Sequence, residues 1–123
     1  MRYTLQLPTI AISQFGVDLI SMKKTTPISP GEMLYEEFLK PLGLTPYRLA
    51  KDIEVPATRV YDIVSGKRAV SAETDLLLCR YFGLSDGWWL AVQSHHDTHV
   101  ARRRLGKRLD LIPRCSLLDV ANQ

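Results

Sequence analysis

The sequence predicts an all-α domain built from five short helices. Serine and threonine residues followed by proline or glutamate mark helix starts, and apolar residues recur at the i, i+4 spacing of half-buried helices. No alternating apolar and polar run firmly predicts a strand, and the length of 123 residues suits one domain. We therefore divide the chain into an N-terminal extension (1–28), a helical domain (29–102) and a basic C-terminal tail (103–123).

The N-terminal extension has no clear helical period, because Pro8, Gly16 and Pro27 interrupt it. We expect it to be irregular or disordered, or to contain one short strand over residues 3–7 or 9–12. Met22 directly precedes the helical domain, so residues 1–21 are not expected to be needed for the fold.

The first helix is predicted to begin at Ser29. Pro30 suits the first helical position, and Glu32 completes a capping box with the serine. Leu34 and Phe38 are expected to form its buried face. Pro41 and Gly43 are expected to end it.

The next two helices are separated by only a tight turn. Thr45 is expected to cap the second helix, and the third is predicted over Pro56–Ser65 with Gly66 ending it. Glu54 occupies the turn position that favours a positive φ, which costs about 1 kcal/mol for a residue with a side chain. The residues expected to face inward are Leu49, Ala50, Ile53, Val55, Val60, Ile63 and Val64.

The last two helices follow the same rules. Ser71 is expected to cap the fourth helix and Gly83 to close it. Ser85 and Asp86 are expected to start the fifth, which contains the sequence GWWLAVQSHHDTHVARRR.

Two helices joined by a short turn are typical of the helix-turn-helix, whose second helix enters the DNA major groove. The bases would be contacted from the outward face near the start of the third helix, by Ala57, Thr58, Arg59 and Tyr61. Phosphates would be contacted by Tyr47, Arg48, Lys67 and Arg68. Asp62 fits this surface only if it pairs with Arg59 or accepts a hydrogen bond from a cytosine amine.

Trp88 and Trp89 are adjacent, so their side chains point about 100° apart around the fifth helix. One is expected to pack inward and the other to face a neighbour. We predict a homodimer interface on this helix, formed by Trp88, Trp89 and Val92, which would place two recognition helices about 34 Å apart on an inverted repeat. The alternative is that both tryptophans lie at the rim of the core.

The stretch from Pro30 to Gln93 resembles the HigA-type addiction-module antitoxins, a branch of the Xre/Cro helix-turn-helix proteins with a lambda-repressor-like fold. The matching segments are PGEMLYEEFLKPLGLTPYRLAKDIEVPATRVYDIVSGKR, SAETDLLLCRYFG and WWLAVQ, about half of the chain. The resemblance implies a five-helix domain that dimerises, binds a palindromic operator on double-stranded DNA and represses its own operon. It also implies a partner, a RelE/HigB-like ribonuclease toxin neutralised by direct binding. The chain departs from the family pattern at Ser29, Glu54 and His96, where the family usually has histidine, glycine and an aromatic residue.

Two other functions remain open from the sequence. One is a stand-alone helix-turn-helix regulator of a phage or mobile element, without a toxin. The other is a protein-interaction or metal-binding module, since His95 and His99 share a helix face near His96, although no convincing third ligand accompanies them. The basic run in 102–108 fits phosphate contacts, an acidic partner or a solvated helix end, and the last is the commonest fate of a charge run.

Composition excludes several classes of protein. No apolar run approaches the roughly 20 residues that span a bilayer, and the start of the chain lacks a signal-peptide pattern. Cys79 and Cys115 form no disulfide framework, which indicates a cytoplasmic location. No nucleophile elbow or phosphate-binding glycine loop indicates an enzyme, and we expect neither catalysis, metal nor cofactor.

Overall fold

The computed structural model describes residues 26–118, and every regular element within them is a helix. These helices are α1 (residues 30–42), α2 (Pro46–Asp52), α3 (Ala57–Ser65), α4 (Ala72–Phe82), α5 (Trp88–Leu105) and α6 (Lys107–Asp110). The predicted all-α fold is confirmed, with α6 as a short sixth helix that the sequence did not predict. The strand considered for residues 3–7 or 9–12 lies outside the described residues.

α1 begins with the predicted capping box. Ser29 Oγ accepts the N–H of Glu32 at 3.2 Å, and Glu32 Oε1 accepts the N–H of Ser29 at 3.3 Å. Behind this cap, Gly31 lies directly against the carboxyl end of α3. A Cβ at Gly31 would meet the carbonyl oxygen of Ile63 and come within 2.7 Å of that of Val64. A glycine here is therefore required by close packing between α1 and α3.

The middle of α1 is wider than an α-helix. Its three parts are α-helical Pro30–Glu32, π-helical Met33–Leu39 and α-helical Lys40–Leu42. The N–H of Lys40 donates to the carbonyl of Tyr35, five residues earlier. Pro41 follows and has no N–H to donate, so one α-helical hydrogen bond is missing at this position, which favours the wider turn before it.

The core lies where α1, α4 and α5 meet the inner faces of α2 and α3. Phe38, Phe82 and Trp89 form its centre, with the Phe38 ring 4.7 Å from that of Phe82 and 5.0 Å from that of Trp89. The predicted inward residues are either buried, as Leu34, Phe38, Leu49, Ala50, Ile53, Val60 and Ile63 are, or half-buried, as Val55 and Val64 are. Ile28 is buried as well, so the packed domain begins before the predicted boundary at residue 29.

The predicted start of α5 is wrong. The helix begins at Trp88 rather than at Ser85 or Asp86, and its N-cap residue, Gly87, offers no side chain. The missing cap comes from α4, because Asp75 reaches across and accepts hydrogen bonds from main-chain N–H groups of α5. Its partners are the N–H of Gly87 (2.7 Å), of Trp89 (2.8 Å) and of Leu90 (3.1 Å).

The end of α5 lies one residue beyond the predicted helix, which reached Arg104, but the domain boundary drawn from the sequence cuts through it. The boundary placed between residues 102 and 103 falls inside the helix, since nothing interrupts it before Gly106, whose φ is 54°. Arg102, Arg103 and Arg104 are therefore exposed helical residues in the last turn, where positive charge is favoured by the helix dipole. α6 follows, and residues 111–118 are exposed.

Candidate nucleic-acid interface

α2 and α3 form the predicted helix-turn-helix. Ala50 is 1% exposed and packs where the two helices cross, and the N–H of Val55 donates to its carbonyl at 3.0 Å. Glu54 adopts φ 60°, the positive value predicted from its place in the turn. Its side chain points to solvent, so the turn keeps its geometry despite the non-glycine residue.

α3 has two distinct faces. Val60 and Ile63 point inward and are at most 2% exposed. On the opposite side, Thr58 is exposed and Tyr61 is 49% exposed. Ala57 and Arg59, the other two residues predicted to contact bases, are half-buried on the flanks of that outer face. No other element among residues 26–118 covers the outer face of α3.

Arg48 lies in the first turn of α2, beside the exposed Tyr47. Its Nε donates to both carboxylate oxygens of Asp52, each at 3.1 Å. Asp52 in turn accepts the hydroxyl of Tyr81 from α4 at 2.6 Å. Both of these hydrogen bonds use the Nε atom of the guanidinium, and the Arg48 side chain remains exposed. The sequence predicted that Arg48 contacts phosphate, but it did not predict that Asp52 and Tyr81 support this side chain.

The Asp52 carboxyl group is stabilised in its charged form. The hydrogen bond from Tyr81 is the largest cause that lowers the pKa of Asp52 below its ordinary value, and the bond and charge of Arg48 act in the same direction. Asp52 is therefore ionised at neutral pH and holds Arg48 at the surface.

The loop after α3 carries the other two predicted phosphate contacts, Lys67 and Arg68, both exposed. Their N–H groups both donate to the carbonyl of Asp62, at 2.8 and 3.1 Å. At the far end of the loop, Val70 is held by Gln93 of α5, which accepts its N–H at 2.6 Å and donates to its carbonyl at 2.9 Å. The cations thus lie between two anchored points.

The suggested Arg59–Asp62 pair is absent from the ion pairs of residues 26–118. Asp62 contributes to the site through its main chain, as the acceptor for Lys67 and Arg68. A contact between its carboxylate and a cytosine amine stays a prediction.

The predicted dimer residues divide as the helix geometry requires. Trp89 is 0% exposed and packs among Phe38 and Phe82, so its inclusion in an interface was wrong. Trp88 and Val92 are half-buried on another side of α5. Val92 also lines an apolar cavity of about 170 Å³ between the start of the domain and α5, together with Pro27, Ile28, Met33, Ala91 and His95.

The three histidines of α5 do not converge. His96 Nδ1 lies 3.2 Å from Asp97 Oδ1, while His95 is exposed and His99 half-buried. Within the described part of the chain, no three His, Cys, Asp or Glu side chains form a group that suits a metal ion. In the same residues, no helix combines the length and the apolar character needed to cross a membrane.

Sequence reasoning missed four residues that shape this part of the molecule: Asp52, Asp75, Tyr81 and Gln93. Gln93 belongs to the WWLAVQ segment, but that pattern carries no sign of a partner 23 residues away. The acidic first turn of α4 was visible at Glu73, yet nothing near Asp75 in the sequence shows that it caps another helix.

Comparisons with known proteins agree with this geometry. A family model described as helix-turn-helix matches residues 36–89. The virulence-associated protein I of Dichelobacter nodosus is 43% identical over 76 residues, covering 62% of this chain and 70% of the relative. The antitoxin HigA-1 of Vibrio cholerae is 34% identical over 85 residues, covering 68% and 80%.

A solved structure gives the same result in three dimensions. The Pseudomonas aeruginosa antitoxin HigA, determined with the higBA promoter, superimposes with a TM-score of 0.68 at 36% identity, covering 73% of this chain and 98% of that one. The alignments cover most of each relative, and the helix-turn-helix described above lies within the matched family region. The chain therefore belongs to the HigA-type antitoxins, a family of helix-turn-helix DNA-binding proteins.

Proposed function

We propose that the protein binds an inverted-repeat operator as a homodimer, represses its own operon and neutralises a RelE-like ribonuclease toxin. The observation that carries the DNA-binding part is the uncovered outer face of α3, with cations on both sides of it. Arg48 lies on one side, at the start of α2, and Lys67 and Arg68 lie on the other. A rigid helix framed by positive charge suits insertion into a groove between two phosphate backbones.

In this proposal the residues of the outer face have separate tasks. Thr58 and Tyr61 extend from α3 and contact base edges, and Ala57 allows close approach at the first turn. Arg59 provides the strongest base contact, since its guanidinium can bind a guanine through two hydrogen bonds. Tyr47 joins the flanking cations in contacting phosphates, which fixes the register of the helix on the duplex.

A mobility-shift titration with the protein's own promoter tests the DNA-binding proposal. Arg59→Ala is expected to weaken binding by about tenfold or more, because it removes a bidentate base contact. Lys40→Ala is the matched control: it also removes one exposed cation, but from α1, where the lysine pairs with Glu36 at 3.2 Å. Equal affinities for the two variants, or wild-type binding that does not weaken with added salt, would contradict groove reading.

The homodimer is proposed to form through the exposed side of α5, around Trp88 and Val92. Both side chains are half-buried in one subunit although they are apolar, which supports a second subunit as their remaining cover. Val92→Asp is expected to convert the dimer to a monomer in analytical ultracentrifugation, because a buried charge without a partner opposes association. A dimer of unchanged stability in this variant would place the interface elsewhere.

The toxin partner is proposed from family membership, supported by the relative named antitoxin HigA-1. Co-expression with the adjacent reading frame tests it. The two proteins are expected to purify together, and growth inhibited by the neighbour alone is expected to recover. If the neighbour has no effect on growth and does not bind, while the operator is still bound, the protein is a stand-alone regulator, the second function predicted from the sequence.

A further inference from the structure

Gln93 connects α5 to the loop that follows the recognition helix. Its side-chain amide makes both hydrogen bonds that the main chain of Val70 can form, at 2.6 Å to the N–H and 2.9 Å to the carbonyl oxygen. The side chain of Val70 is buried as well, at 3% exposure. This contact bridges 23 positions of sequence and ends two residues after Arg68.

The loop has little other support. Residues 66–69 are exposed, and a cavity of about 160 Å³ lies beside them. Its lining includes Gly31 and Ile63 on one side and Gly66, Arg68 and Gln93 on the other. The near end of the loop is attached through the Asp62 carbonyl, but its far end depends on the amide of Gln93 and the side chain of Val70.

We propose that Gln93 is a positioning residue for DNA binding, which acts by holding Lys67 and Arg68 in register with the phosphates. The proposal rests on the DNA-binding function proposed above. Gln93 itself lies on α5 and is half-buried, and its side-chain amide is engaged by the main chain of Val70. It lowers the conformational freedom of the loop before binding, so less entropy is lost when the two cations meet the backbone.

The same contact joins the loop to the helix proposed to form the dimer interface. Gln93 follows Val92 directly, and the pair of hydrogen bonds attaches the far end of the loop, at Val70, to this part of α5. A displacement of α5 would therefore also displace Lys67 and Arg68. This makes Gln93 the link between the oligomer-forming helix and the phosphate contacts.

Gln93→Met tests the proposal, because methionine keeps the length of the side chain and removes both hydrogen bonds. Operator affinity is measured across a series of salt concentrations, well below the unfolding temperature of each variant. We expect affinity to fall about tenfold at moderate salt. The slope of log K against log salt is expected to decrease in magnitude by about 1 to 2, because one or both phosphate contacts are lost. A residue that only stabilised the fold would leave the slope unchanged.

Ser29→Ala is the matched control for stability. It removes the α1 cap, lies beside the same cavity and contacts neither Gln93 nor the loop cations. The control is expected to melt earlier than the wild type but to keep its affinity and salt slope. If Gln93→Met behaves like this control, the proposal is wrong.

A double-mutant cycle shows whether Gln93 acts through the cations. Once Lys67 and Arg68 are both alanine, Gln93→Met is expected to cause no further loss of affinity. Additive losses would overturn the proposal. If instead Lys67→Ala/Arg68→Ala and Arg59→Ala both leave operator binding intact, the assigned contact residues are wrong and the positioning proposal falls with them. If the wild-type protein itself does not bind the operator, the proposed DNA-binding function fails, which is a different result.

Gln93→Glu covers the case in which the methionine variant does not fold. Glutamate keeps the acceptor for the N–H of Val70, loses the donor to its carbonyl and adds a negative charge, so its effect is compared between the two backgrounds rather than taken alone. A smaller fall in affinity that disappears in the Lys67→Ala/Arg68→Ala background supports positioning. A fall of the same size in both backgrounds contradicts it.

Discussion

The first turns of α4 and α5 both have main-chain N–H groups that need a hydrogen-bond acceptor, and the two helices obtain it in different ways. α4 is capped by its own Ser71, whose Oγ accepts the N–H of Thr74 at 3.2 Å. α5 starts at a glycine and takes its cap from Asp75, a residue of α4 that is 1% exposed. The first cap belongs to one helix, while the second also fixes the position of one helix against another.

The difference shows where cooperativity enters this domain. Loss of a local cap frays one turn, but loss of the Asp75 contacts separates the two helices that enclose Phe82 and Trp89. The burial of Trp89, and through it the direction of α5, therefore depends on a carboxylate from another helix. A local cap can be replaced at small cost, whereas this one has no substitute nearby.

The largest predicted effect is at Asp75. Asp75→Ala leaves the N–H groups of Gly87, Trp89 and Leu90 without their acceptor inside the protein, and we expect it to lower the free energy of unfolding by about 3–4 kcal/mol. Asp75→Asn should cost less, because the amide keeps one accepting oxygen. Chemical denaturation followed by tryptophan fluorescence measures both. A loss near 1 kcal/mol for the alanine variant would make this cap equivalent to a local one.

Ser71→Ala tests the cap that α4 forms with its own residue, for comparison with the Asp75 cap of α5. The variant removes one cap hydrogen bond at an exposed helix start, so we expect the free energy of unfolding to fall by about 1 kcal/mol. The same denaturation experiment measures it, and amide hydrogen exchange should show faster exchange confined to the first turn of α4. Exchange that also increases in α5 would mean that the two caps are coupled.

Glu54→Gly tests a second local effect, the backbone strain at a non-glycine residue with a positive φ. Glu54 has φ 60°, and glycine adopts this conformation without the cost of about 1–2 kcal/mol borne by other residues. Glycine also loses more conformational entropy on folding, by about 0.5–1 kcal/mol. We therefore expect a net stabilisation of about 0.5 kcal/mol, seen as a higher denaturation midpoint with unchanged operator affinity. A lower midpoint would show that the side chain of Glu54 stabilises the turn.

Tyr81→Phe should have the smallest effect, although it also breaks a contact between two helices. Asp52 is partly exposed, so the hydrogen bond competes with water and the loss should be below that of Ser71→Ala. The pH dependence of stability identifies the contribution of this hydrogen bond. The lowered pKa of Asp52 means that its contribution is complete above the unfolded-state value of about 4 and disappears as the pH falls through the folded-state pKa.

Thermal unfolding of wild type and Tyr81→Phe at several pH values measures this contribution. We expect the two melting temperatures to differ near pH 7 and to converge below about pH 4. A difference that does not shrink as the carboxyl group of Asp52 becomes protonated would mean that the hydroxyl of Tyr81 stabilises the fold independently of the Asp52 charge.

The candidate site was predictable to the extent that its residues depend on position along one helix. Thr58 and Tyr61 were assigned to the outer face of α3 because Val60 and Ile63 had to face the core, and the structure agrees. Arg59 and Asp62 differ, since the expected ion pair requires particular side-chain conformations that spacing alone does not determine. Trp88 and Trp89 were expected to diverge, but only the tertiary packing decides that Trp89, which contacts both Phe38 and Phe82, is the buried one.

By itself, the sequence determined the helix starts at Ser29, Thr45 and Ser71, the left-handed ends at Gly43, Gly66 and Gly83, and the inner face of α3. All of these depend on residues within one or two turns, and such hydrogen bonds and steric limits act at short range along the chain. Only the tertiary structure decided that Asp75 caps α5, that Gln93 holds Val70 and that Tyr81 supports Asp52. Those contacts join residues 12 to 29 positions apart, and they form because folding brings residues of different elements together. The polar groups that meet Asp75 and Gln93 would otherwise lack partners away from water, whereas the bond of Tyr81 to Asp52 is exposed.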